Sequence, residues 1–117
     1  MSKITHADLA QFTGSEHVYR HGLLRSITYT EGVQYLAEKA AAYWLIDAVA
    51  SYQHEAPVKG EEFQVWRLKV EGSRAVLTCE DGNERKLVEQ QIEFTDFPLD
   101  HIDLWVENGV ILLPSEH

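Results

Sequence analysis

The chain has 117 residues, 44% apolar and 25% charged, which is the size and balance of one globular domain spanning residues 1–117. Nineteen acids against ten bases give a formal charge of −9, and this disfavours direct binding of nucleic acid, where Lys and Arg must displace phosphate counterions. The single cysteine, Cys79, excludes an internal disulfide and a multi-cysteine zinc site. No apolar run approaches the roughly 20 residues that span a bilayer, so no membrane association and a cytoplasmic location are expected.

In chain order, residues 8–12 read as a short N-terminal helix ending near Gly14, where a glycine supplies a left-handed cap. His17 and His21 stand four residues apart, the spacing of a helical metal pair. Gly14 and Gly22 oppose a helix there, and no fixed third ligand is present, so neither metal nor cofactor is expected. Residues 18–29 carry the β-formers Val18, Tyr19, Ile27, Thr28 and Tyr29 and read as an extended segment.

The strongest pattern predicts one long helix over 31–53. Thr28 and Glu31 have capping-box spacing, with Thr30 as the alternative cap. Val33, Leu36, Ala37, Ala40 and Trp44 share a face, and Gln34, Glu38 and Lys39 lie away from it. From Ala41 to Ile46 the helix is apolar all round, so it must be covered within its own domain or across a homodimer. Pro57 ends it.

Beyond residue 62 the period changes to two, giving strands over 63–70, 74–80, 86–94, 102–107 and 110–113. Gly72, Asp81-Gly82-Asn83 and Asn108-Gly109 mark the tight turns between them, the last pair suiting a type I′ hairpin. In Thr95-Asp96-Phe97-Pro98 a polar cap precedes a proline suited to a first helical position, with Phe97 and Leu99 as anchors. The expected fold is α+β: an antiparallel sheet of about five strands packed on one long central helix, with a short N-terminal helix.

Two sets of residues are functional candidates. Asp47 falls on the face that the first half of the helix commits to the core, where a carboxylate needs a partner. Arg20, Arg25 or backbone would supply a structural partner, and Tyr43, Ser51 and His54 lie near the same helical line. A pocket around Asp47, Tyr43 and His54 suits a small hydrolase or ligand-binding enzyme, with Asp96 as a second carboxylate were it to face Asp47. The other set is acidic. Residues 55–117 hold fourteen acids and six bases, and no Lys or Arg follows residue 86. Glu89, Glu93, Asp96, Asp100, Asp103 and Glu107 form a candidate surface for a basic protein partner. The chain lacks a glycine-rich phosphate loop, a Gly-x-Ser-x-Gly elbow and a His-Glu-x-x-His motif, and Cys79 shares the Ala75 and Leu77 strand face as an inert core residue. The leading expectation is therefore a non-enzymatic inhibitor or adaptor, one version being a nucleic-acid mimic that antagonises bacterial defence nucleases.

Gln11-Phe12-Thr13-Gly14, residues 29–53 reading YTEGVQYLAEKAAAYWLIDAVASYQ, Thr95-Asp96-Phe97-Pro98-Leu99 and Leu112-Leu113-Pro114-Ser115-Glu116 together resemble a bacterial family of small proteins classed as a domain of unknown function. The resemblance covers nearly the whole chain and implies motif residues that include Tyr43, Trp44, Asp47, Asp96 and Pro98. It implies no activity, cofactor or catalytic residue.

Overall fold

The computed structural model describes residues 4–13, 18–22, 26–83 and 85–117. His17, Gly14 and Arg25 fall outside the described residues, and with them half of the histidine pair. The elements are α1 (His6–Ala10), β1 (Val18–Arg20), β2 (Thr28–Thr30), α2 (Glu31–Lys39), α3 (Tyr43–Tyr52), β3 (Phe63–Glu71), β4 (Arg74–Glu80), β5 (Lys86–Ile92), β6 (His101–Glu107), β7 (Val110–Leu112) and a 3-10 turn at Pro114–Glu116.

All seven strands form one sheet in the order β1-β2-β7-β6-β3-β4-β5. It is mixed: β2 runs parallel to β7, and every other pair is antiparallel. This corrects the five-stranded antiparallel expectation. The five strands of the second half are there, and the segment 18–29 adds two more, each only three residues long and too short to show a period. Backbone bonding continues beside the parallel pair, where Thr28 N–H donates to Gly109 O at 3.0 Å.

The long helix is two helices. Ala42 N–H donates to Ala37 O at 2.8 Å and Ala41 N–H to Glu38 O at 3.5 Å, while Ala41 takes φ 52°. These are the paired bonds of a Schellman motif, with alanine where glycine usually stands. Alanine is the best helix former, so composition hides this stop. The N-cap of α2 is Thr30, whose hydroxyl accepts from Val33 N–H at 3.4 Å; the Thr28 box does not form. At the N-terminus, Thr5 and Asp8 make a capping box, which starts α1 two residues earlier than expected.

Gln64, Trp66, Leu68, Leu77, Cys79, Leu104, Val106 and Ile111 form the buried side of the sheet, in one core with Val33, Leu36 and Ala37 of α2 and Leu45, Ile46, Val49 and Ala50 of α3. The last turn of α3 reaches far across the sheet, since Tyr52 packs its ring on Trp66 of β3 and donates its hydroxyl to Gln90 of β5 at 2.7 Å. Among the described residues no buried side-chain polar atom lacks a partner. Gln64 shows how: its amide exchanges two 2.8 Å bonds with Gln53, donates to Glu61 O at 3.0 Å and accepts from Trp66 Nε1 at 2.8 Å.

Thr95 makes a local turn, accepting from Phe97 N–H at 3.1 Å, and no helix follows at Pro98. Phe97 and Leu99 are buried as expected. Their burial holds the connection between β5 and β6 against the sheet, and Thr95 N–H binds Ser73 O in the β3–β4 turn.

Candidate functional site

A cavity of about 620 Å³ lies where α3 meets β1 and β2, lined by His21, Tyr29, Tyr43, Ile46, Asp47 and Ser51. Its size is within the range of small-ligand sites, about 300–1,000 Å³. His21 follows β1, and its N–H donates to Ile27 O at 2.9 Å, which prolongs the β1–β2 pairing. Alternation puts His21 on the face of Tyr19, and Tyr19 pairs with Tyr29. The two phenol rings stack with centroids 5.7 Å apart.

From the other side, α3 presents Tyr43 and, one turn on, Asp47. His21 Nε2 donates to Asp47 Oδ1 at 2.8 Å. The His21 side chain is 10% exposed and that of Asp47 69%. The carboxylate is therefore anchored through one oxygen and open to a further partner. The Tyr43 hydroxyl accepts from Gln34 Nε2 at 2.8 Å, which joins α2 to α3 and sets the ring at the rim. Burial, then Tyr43, Tyr19 and Asp47, push the Tyr29 phenol above its ordinary value, so it stays neutral at physiological pH.

Asp47 and Tyr43 line one cavity, and two other placements differ from the pattern expected of a single helix. Asp47 is exposed rather than on the core face, because the break at Ala41 resets the phase of α3 relative to α2. His54 lies exposed after α3 and does not line the cavity; His21 takes the place expected of it. Ser51 Oγ donates to Ala48 O at 2.7 Å, so this hydroxyl is engaged on its own helix. Asp96 sits in the connection that passes the β3–β4 turn, away from the Asp47 cavity lined by β2 and α3. The one signal for Tyr29 and His21 was strand alternation in residues 18–29, too short to read.

The acidic residues do not gather on one edge. Asp103 makes a two-pronged pair with Arg67 at 2.8 and 3.2 Å, directly across from it in the β3–β6 register. Glu89 meets Lys86 at 2.6 Å, and Glu107 meets His117 at 2.8 Å. Asp100 stands between His6 and His101. Glu93 and Asp96 are exposed in the β5–β6 connection and have no side-chain partner among the described residues. Cys79 is buried, as the strand pattern implied.

These features define an α+β protein with helices over one face of a mixed sheet and an aromatic, acid-bearing cavity near its β1 end. Residues 3–117 match a family described as a family of unknown function (DUF6876), and the chain belongs to it. No curated protein and no solved structure matches the chain. Among the described residues, no helix is long and apolar enough to cross a membrane.

Proposed function

We propose that this chain is a small acidic binding protein, an inhibitor or adaptor, that engages a basic protein surface by taking a lysine or arginine side chain into the Asp47 cavity. The observation that carries this reading is the make-up of the cavity wall: among the described residues Asp47 is the one carboxylate and no Lys or Arg lines it, and the Tyr29 and Tyr43 side chains line it beside the acid. A cation entering there gains both a charge partner and ring faces. The overall charge of −9 favours encounter with such a partner from a distance. Glu93 and Asp96, exposed without an internal base among the described residues, extend the attraction beyond the cavity.

The test is a fluorescence titration with a short labelled peptide rich in Arg and Lys, beside a peptide of reversed charge. The basic peptide should bind and be released by salt. Asp47→Asn or Tyr43→Ala should each weaken it roughly 2- to 30-fold, the range of one lost cation–π or charge contact. Unchanged affinity in both variants, or equal binding of the two peptides, would overturn the reading.

A further inference from the structure

A second cluster lies apart from that cavity and involves different residues. His6 at the start of α1 and His101 at the start of β6 approach across 95 positions of chain, with ring centroids 4.6 Å apart and planes tilted by 31°. Both rings aim a nitrogen at the same oxygen: His6 Nε2 is 3.3 Å and His101 Nδ1 is 3.0 Å from Asp100 Oδ1. One donor atom from each of the three lies within 4.8 Å of every other.

The geometry points to a divalent transition-metal site made by His6, Asp100 and His101, taking a cation of the zinc class. Two imidazoles and one carboxylate are the donor set such ions prefer over magnesium or calcium, which take oxygen ligands. Ligands about 2.0–2.1 Å from a tetrahedral ion stand ~3.3 Å apart, and both nitrogen–oxygen separations are already close to that. The ion would replace the protons that now join the rings to Asp100, drawing in donors that already lie within 4.8 Å of one another. All three side chains are exposed, so the ion has direct access from solvent.

Three protein ligands leave one position of a tetrahedral ion for water or an added ligand. A hollow of about 220 Å³ opens beside the cluster, lined by both histidines, Asp103 and Ser115 among others. The ion would also tie α1 to β6, two elements that meet here through side chains, and would stabilise the fold because it binds only the folded arrangement.

Equilibrium dialysis against Zn²⁺ alone, with the full chain, tests this. One ion per chain should bind, and His6→Asn, His101→Asn and Asp100→Asn should each weaken it at least about tenfold. The same three variants should abolish the rise in thermal midpoint that Zn²⁺ gives the wild type. His17→Asn, His54→Asn and His117→Asn should change neither readout. Binding that survives His6→Asn and His101→Asn, or no stoichiometric binding by the folded wild type, would overturn the assignment. So would an equal midpoint rise with Mg²⁺.

Discussion

Thr30 donates its hydroxyl proton to Glu116 Oε1 at 2.5 Å, joining the N-cap of α2 to a residue 86 positions later. The same carboxylate accepts from Gly32 N–H at 3.2 Å and from Leu113 N–H at 3.0 Å. Glu116 therefore serves both the start of α2, where negative charge is favoured, and the final turn of the chain. A Cβ on Gly32 would stand 2.6 Å from Glu116 Oε1 and 2.7 Å from Leu113 Cδ1, so any larger residue there must displace these two side-chain ends. Glu116→Ala should cost about 1–2 kcal/mol for the acceptors lost. Gly32→Ala should cost about 1–3 kcal/mol by crowding, against its gain in helix propensity. Urea denaturation measures both.

Ala41 holds φ 52° at the stop between α2 and α3. A left-handed L-residue costs about 1–2 kcal/mol, and glycine removes that strain while losing more chain entropy on folding. Ala41→Gly should therefore raise stability by about 0.5–1 kcal/mol, read from the denaturation midpoint. A loss of stability would show that the alanine conformation is not strained.

The second half of the fold was readable because its strands are long enough for alternation to declare itself and its turns use residues suited to positive φ. Asn108 at 51° and Gly109 at 82° are an instance. The first half was not. Two three-residue strands carry no period, the parallel pairing of Tyr29 with Ile111 is non-local, and an alanine-rich stretch reads as helix straight through a left-handed stop. Half of the candidate cavity was legible for the same reason. Tyr43 and Asp47 share one helix, whereas His21 and Tyr29 arrive from strands that local sequence does not place. The His6, Asp100 and His101 cluster was invisible for its distance along the chain. The motifs behind the family resemblance have a partly structural explanation: Thr30, Gly32, Leu113 and Glu116 from two of them form one linked set.

Gln64 is 1% exposed and has both ends of its amide fully engaged. Gln64→Leu keeps the volume but leaves Trp66 Nε1 and the Gln53 amide without this partner. The expected loss is about 1–3 kcal/mol, from desolvated donors rather than from lost packing. Gln53→Ala should cost less, because Gln53 is only half-buried and water can replace its amide.

Cys79 has its thiol pushed up to about 12, first by burial and then by Glu61, Glu80 and Asp81. The thiolate is the reacting form, so native protein at pH 8 should resist a thiol reagent such as dithiobis-nitrobenzoate. One equivalent should react promptly in denaturant. Fast labelling of the native chain would mean that the strand face around Ala75 and Leu77 opens readily.

Asp100 accepts from both His6 and His101, and these bonds hold its carboxyl below the ordinary value of 3.8. A carboxylate with a depressed folded-state value contributes stability that is present above the unfolded value and lost as pH falls through the folded one. The window therefore lies in acid, below about 4. Carbon-detected NMR should place the Asp100 midpoint below 3.8 in wild type and return it toward that value in a His6→Ala, His101→Ala double variant. Asp100→Asn should flatten the stability profile in the same acid window while leaving the neutral range little changed, since the group is fully exposed and screened. An unshifted Asp100 midpoint in wild type would mean that the two imidazoles do not share its oxygen in solution.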